Sequence, residues 1–218
     1  VNLLGTVTRR LLEEAKLQTG DIDSIVVVST TGIATPSLDA LLVERMGLNR
    51  DIKRLPIFGL GCAGGVTGLA RAADLARAHP GSKVLFLVVE LCALTFRKND
   101  ISKSNIVATA LFGDGAAGAI LSTDGEGPAL TAAGEHTWPH SLDVMGWDMA
   151  EDGLKARFAT SIPGLVASDF RALLDEFLAR NAIARGDIDA FACHPGGAKV
   201  LDALEDALVM GADEAQVR

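Results

Sequence analysis

The chain has 218 residues, 49% of them hydrophobic, and carries a formal net charge of −8. That much apolar material supports a substantial core, in one large domain or two small ones. Basic residues cluster only as pairs (Arg9-Arg10, Lys53-Arg54, Arg97-Lys98), which excludes a nucleic-acid partner. The acidic balance still leaves room for an anionic substrate held by a local patch. With 5% aromatic residues and no tyrosine, the chain suits tightly packed helices and sheets built from small side chains. Residues 84–89 form an apolar run cut by Glu90, and 105–113 another cut by Asp114. Neither approaches the roughly 20 residues needed to span a bilayer. Arg9 and Arg10 are not followed by the apolar core of a signal peptide. Cys62, Cys92 and Cys193 have no C-x-x-C or zinc-ligand spacing, and an odd count suits a reducing compartment. A soluble, cytoplasmic protein without a metal site is expected.

Residues 3–17 read as an amphipathic helix, with Leu3, Leu4, Val7, Leu11 and Leu12 at helical spacing. Asp21-Ile22-Asp23-Ser24 then leads into 25–28, a β-branched run of the kind buried on both faces of a sheet. Pro36 breaks the chain before a helix over 38–46 that stops at Gly47. Residues 57–60 predict a short strand entering Gly61-Cys62-Ala63-Gly64-Gly65, and 67–78 a helix halted by Pro80-Gly81. Strands are predicted over 83–89 and 116–122. Gly125-Glu126-Gly127-Pro128 marks a boundary, dividing the chain into 1–125 and 129–218. Beyond it, 129–133 and 188–193 predict strands, 162–182 is mostly helical, and 199–208 is a helix. Asp21-Ile22-Asp23 resembles Asp187-Ile188-Asp189, each after an amphipathic helix and before an apolar run, which suggests a duplicated helix–strand unit. Alternating helices and two-sided strands give an α/β class, with the strand order unreadable.

Three places carry chemistry. Cys62 sits among glycines between a predicted strand and helix, where glycine permits sharp backbone angles and close approach of another molecule. The helix start should favour the thiolate, the nucleophilic form, so that Cys62 can carry an acyl group as a thioester. A small hydrophobe buried in a tight turn is the competing reading. His194 ends an apolar run and precedes Pro195-Gly196-Gly197, so its ring projects from an extended segment. A neutral imidazole there can take a thiol proton or donate to a thioester oxygen, the alternative being a structural histidine capping a turn. Phe112-Gly113-Asp114-Gly115-Ala116 reads as a turn between apolar runs, with Asp114 holding loop amides and Phe112 lining a cavity.

Taken in order and spacing, the Cys62 turn, the Phe112–Ala116 turn and His194-Pro195-Gly196-Gly197 resemble the type III polyketide synthases, the chalcone-synthase-like branch of the thiolase fold. The run Glu90-Leu91-Cys92-Ala93-Leu94-Thr95-Phe96-Arg97 resembles that family's segment after the strand. In the neighbouring ketoacyl-ACP synthase III group the histidine is followed by Gln-Ala-Asn, whereas here Pro-Gly-Gly follows.

The resemblance implies a layered αβαβα fold of two related halves, each incomplete in this chain. It implies acyl transfer from coenzyme A to Cys62 and decarboxylative condensation with malonyl-CoA, using no cofactor beyond these thioesters. By the same resemblance His194 is base and oxyanion donor, and Phe112 a gatekeeper. Thr35, Cys92, Thr95 and Ala156 line the pocket, and Gly196 and Gly197 contact coenzyme A. Ala156 stands where phenylalanine is frequent, leaving room for a bulkier starter, although nearby Phe158 offers a shifted alignment. A homodimer is implied, with Thr35 near the partner's cavity. The family's asparagine, in an Asn-Met-Ser-Ser type segment beyond the histidine, has no counterpart here, and the chain enters the family pattern partway through. The 218 residues alone are therefore expected to turn over malonyl-CoA poorly. The rival readings are a ketoacyl-ACP synthase III-like enzyme and a non-catalytic thiolase-fold scaffold.

Overall fold

In a computed structural model of the chain, residues 1–151 and 153–208 are described, and they divide into two compact units. The first comprises Val1–Lys98 and Phe112–Ala133. Its helices are α1 (Asn2–Ala15), α2 (Leu38–Met46) and α3 (Gly64–Ala78), and its strands are β1 (Ser24–Val28), β2 (Lys53–Ile57), β3 (Val84–Leu91) and β4 (Asp114–Leu121). The sheet order is β2-β1-β3-β4, with β1 parallel to both β2 and β3 and β4 antiparallel to β3.

Side chains alternate across a strand, so each face of β1 and β3 needs its own cover. Ile25, Val27, Leu85, Leu87 and Val89 pack with Leu4 and Leu12 of α1 and Leu42 and Val43 of α2. Val26, Val28, Val84 and Phe86 pack with Ala72 and Ala76 of α3. Every residue of β1 is buried, as its unbroken apolar run predicts. The approach of α3 depends on glycine. A Cβ on Gly68 would stand 2.4 Å from Val28 Cγ2 and 2.8 Å from Phe86 Cε2, and one on Gly64 2.7 Å from Val28 Cγ1.

The second unit comprises Asn99–Leu111 with the described part of Gly134–Arg218. Its elements are α4 (Lys103–Leu111), the antiparallel pair β5 (Met145–Ala150) and β6 (Gly153–Phe158), α5 (Ile162–Leu165), α6 (Arg171–Arg180) and α7 (Ala198–Leu208). A π-helical turn over Val166–Phe170 joins α5 to α6, so 162–180 is continuously helical. Leu178, Ala203, Leu204 and Leu208 are its buried apolar residues on α6 and α7. Arg171 donates to the Ala207 carbonyl at 3.2 Å and Arg185 to that of Leu208, satisfying acceptors that the end of α7 leaves open.

Two predicted strands do not form. Residues 129–133 and 188–193 have no ladder partner among the described residues. An apolar run becomes a strand only where another backbone supplies its hydrogen bonds. β2 lies at Lys53–Ile57 rather than 57–60, an exposed edge strand in which Pro56 needs no donor. The Phe112-Gly113 turn joins α4 to β4, a helix-to-strand joint.

Two segments, one in each unit, share the same backbone detail after their helices. α1 ends in left-handed Lys16, with the Leu17 amide donating to the Leu12 carbonyl at 2.9 Å. α6 is followed by left-handed Ala182, with the Ile183 amide donating to the Leu178 carbonyl at 3.0 Å. A short 3₁₀ turn follows each helix, and its aspartate accepts from the amide three residues earlier. Asp21 accepts from Gln18 at 2.7 Å, and Asp187 from Ala184 at 3.2 Å. Every pair falls at one constant offset along the chain. In the first copy the next segment is β1; in the second it is the unpaired run 188–193.

Candidate active site

Parallel strands β1, β2 and β3 all end at one edge of the sheet, and β4 begins there, with Asp114 opposite Leu91. Binding sites of open α/β sheets form beyond such strand ends. Four loops issue from this edge of the first unit: Ser29–Pro36, the Cys62 turn, the 3₁₀ turn Cys92–Thr95, and Phe112-Gly113. Topology thus gathers Cys62, Cys92, Thr95, Phe112 and Thr35 at one end of one unit.

Cys62 lies in a 3₁₀ turn, Gly61–Ala63, that runs straight into α3. Gly61 has φ +53° and Gly59 φ +92°, left-handed backbone that favours glycine. Gly64, with φ −57°, serves differently, by admitting Val28 against the helix. The Cys62 residue is exposed. Its thiol nevertheless has enough protein around the sulfur that desolvation pushes it up from the ordinary cysteine value. The Glu90 carboxylate adds to the rise, and the residue's own N–H opposes it.

The expected thiolate is therefore not stabilised by this unit. The Ala63 and Gly64 amides that would face the sulfur are engaged by the Leu60 and Gly61 carbonyls.

Cys92 is half-buried, and its thiol is also raised, by desolvation and then by Glu90, Asp114 and Cys62. The contribution of Cys62 to the rise at Cys92 places the two thiols within electrostatic reach. Thr95 turns its hydroxyl inward to the Cys92 carbonyl at 2.8 Å, and Asp114 accepts the Ala93 amide at 2.8 Å. That is the amide-holding role expected of Asp114. Phe112 is half-buried, whereas Thr35 is exposed on its loop.

Sequence reasoning passed over the polar residues that join these loops. Glu90 accepts the Thr30 amide at 2.8 Å, the Thr31 amide at 3.0 Å and the Thr31 hydroxyl at 2.5 Å. Thr31 Oγ1 accepts the Leu91 amide at 2.8 Å, and Thr30 Oγ1 accepts the Gly61 amide at 3.0 Å. Consecutive small polar residues after a buried strand, with an acid ending another, were the available signal; the pairing across 60 positions was not.

His194 belongs to the second unit, on an exposed turn closed by the Gly196 amide donating to the His194 carbonyl at 2.9 Å. A Cβ on Gly196 would meet imidazole Cδ2 at 3.5 Å and Val200 Cγ1 at 3.6 Å, ordinary van der Waals contact, so the ring lies close against this position. Gly197, at φ +121°, turns the chain into α7, and its carbonyl accepts the Val200 and Leu201 amides. Desolvation raises the half-buried Cys193 thiol. Ala156 pairs with Trp147 across β5 and β6, and shares a strand face with Phe158.

Residues 1–125 match the profile of the chalcone and stilbene synthases, N-terminal domain. This chain belongs to that family. As a member of the chalcone and stilbene synthases it is 43% identical over 204 residues to a 1,3,6,8-tetrahydroxynaphthalene synthase of Streptomyces peucetius subsp. caesius, covering 90% of this chain and 54% of the relative. Its fold is similar to the crystal structure of the 1,3,6,8-tetrahydroxynaphthalene synthase from Streptomyces coelicolor A3(2), a bacterial type III polyketide synthase. The TM-score is 0.90 at 31% identity, over 95% of this chain and 60% of that one. The C-terminal type III polyketide synthase domain of a Dictyostelium type I/III hybrid gives 0.88 at 28% identity, over 99% and 62%. The chain thus has the α/β thiolase-type fold of these enzymes and spans about half the length of the curated relatives it matches. Among the described residues no helix is long and apolar enough to cross a membrane.

Proposed function

We propose that this chain acts in a type III polyketide synthase, as the part that accepts an acyl group on Cys62 and extends it with malonyl-CoA. The observation that carries the reading is the placement of Cys62. The sulfur is reachable from solvent, follows a left-handed glycine, begins a helix, and stands at the strand-end edge of a family-matched unit.

In this reading the starter is an acyl-CoA. His194 takes the thiol proton as sulfur attacks the thioester carbonyl, and the proton leaves with the coenzyme A thiol. A base suits this sulfur, because desolvation and then Glu90 work against its ionisation. Malonyl-CoA then loses carbon dioxide, and the electron pair of the broken bond becomes an enolate. The enolate attacks the Cys62 thioester and expels the cysteine sulfur, while the imidazole of His194 donates to the enolate oxygen. Phe112, Thr35, Cys92, Thr95 and Ala156 shape the acyl pocket, and Gly196 and Gly197 admit the coenzyme A chain. Ala156, standing where phenylalanine is frequent in the family, leaves room for a bulky starter. No metal or further cofactor enters these steps. Homodimer assembly, a cytoplasmic setting and a division into related halves at 1–125 and 129–218 complete the proposal, the last supported by the repeated helix-cap and aspartate-turn geometry.

Intact-mass analysis after incubation with an acyl-CoA tests it. The expected result is one acyl adduct located on Cys62, absent from Cys62→Ala and slowed about 10²–10⁴-fold in His194→Gln, the usual worth of a positioned general base. An adduct that persists in Cys62→Ala would refute the assignment.

A further inference from the structure

The Cys62 turn is tied to the rest of its unit through polar groups that none of the proposed chemical steps uses. We propose that Glu90 is a positioning residue for the nucleophile turn: its carboxylate fixes the Thr30-Thr31 backbone, and the Thr30 hydroxyl in turn holds the Gly61 amide next to Cys62. The inference rests on Cys62 being the nucleophile.

The chain of contacts is continuous. Glu90 Oε1 takes the Thr30 amide, Glu90 Oε2 takes the Thr31 amide and hydroxyl, and Thr30 Oγ1 takes the Gly61 amide. Ser29 and Thr30 are buried at 4% and 5% exposure, while Glu90 and Thr31 are half-buried, so the network is largely withdrawn from solvent. Ser29 completes it by accepting the Gly32 amide at 2.8 Å. Interior polar groups are costly unless every partner is present, which makes such a network specify one geometry.

The choice of an acid at Glu90 is otherwise hard to explain. A carboxylate beside the thiols works against ionising the sulfur, since Glu90 helps raise both Cys62 and Cys92. Three donors converge on it, however, and only a carboxylate accepts at both oxygens without bringing a donor of its own. A glutamine would turn an NH₂ group toward either the Thr30 or the Thr31 amide. The acid is retained for geometry at the expense of thiol acidity. The charged group acting on Cys62 is Glu90, and those acting on Cys92 are Glu90, Asp114 and Cys62.

Two measurements on the full chain read this without any substrate, so failure of acyl loading on Cys62 and failure of this proposal are separate results. The first is amide hydrogen exchange in a peptide spanning 60–64. Thr30→Val, which removes the acceptor, should speed exchange about tenfold, the size of one lost hydrogen bond, and Thr30→Ser should restore it. Glu90→Gln should speed exchange there by a similar factor although it does not touch Gly61. The second is the pH profile of Cys62 alkylation by iodoacetamide. Glu90→Gln should move the profile to lower pH by removing a negative charge, whereas Thr30→Val should leave it in place. The Thr30 pair reads the link even where the Glu90 variant does not fold. Unchanged exchange at 60–64 in Thr30→Val, or in folded Glu90→Gln, overturns the proposal.

Discussion

Replacing Gly68 by alanine tests whether the bed of the nucleophile helix is as tight as the contacts say. The added Cβ would lie 2.4 Å from Val28 Cγ2 and 2.8 Å from Phe86 Cε2, against an ordinary carbon–carbon approach of about 3.5–4.0 Å. Neither neighbour yields easily. Val28 is 1% exposed in a central strand and Phe86 6%, and a β-branched valine has few other rotamers. α3 must therefore withdraw from the sheet or a buried rotamer must change. Overpacking of this kind costs about 1–3 kcal/mol, and so severe an overlap falls at the upper end. Alanine returns about 1 kcal/mol in helix propensity. The net loss is about 2 kcal/mol, a fall in Tm of roughly 4–8 °C for a chain of this length. Gly65→Ala is the control, because its Cβ meets nothing within 4 Å, and it should gain up to about 1 kcal/mol. Urea or thermal unfolding of both variants decides the matter. Gly68→Ala as stable as the parent would refute the packing argument.

Asp39 is fully buried and pairs with half-exposed Arg54 at 3.1 Å. Arg54→Ala strands the buried carboxylate and should cost about 3 kcal/mol, whereas adding Asp39→Ala should recover much of that loss in the double variant. Desolvation raises all three thiols. The folded protein therefore keeps protons that the unfolded chain releases from about pH 8.5 upward. Their stabilising contribution is complete below that pH and declines as pH rises through the folded values. Urea midpoints from pH 7.5 to about 10 should fall less steeply in a variant with serine at all three positions. Asp114→Asn, which removes one of the charges raising Cys92, should shift Cys92 alkylation to lower pH, as followed by peptide mass mapping.

Elements whose signal is local were legible from the sequence. The helix over 38–46 stops at Gly47 because that residue adopts φ +64°, and the unbroken apolar run ending at Val28 is a strand covered on both faces. Elements defined by a distant partner were not. Residues 188–193 have a strand's composition and no ladder among the described residues, whereas Met145–Ala150 and Gly153–Phe158 pair fully despite a composition poor in β-branched residues. α4 is apolar enough to have been weighed only as a membrane stretch. Cys62 and His194 stood out because glycine and proline punctuate them. Glu90, Thr30 and Thr31 did not, since their meaning lies in hydrogen bonds across about 60 positions. The thiol's raised pKa was equally hidden, because it depends on how much protein surrounds the sulfur and on the Glu90 carboxylate, which is distant in sequence.

That raised value gives an open cysteine a form of chemical restraint. Peroxides and stray electrophiles attack thiolates, and a sulfur that holds its proton at neutral pH reacts with them slowly. Desolvation at an exposed turn, with Glu90 nearby, works against a standing thiolate at Cys62, so its alkylation by iodoacetamide at neutral pH should run slower than that of an unhindered cysteine thiol.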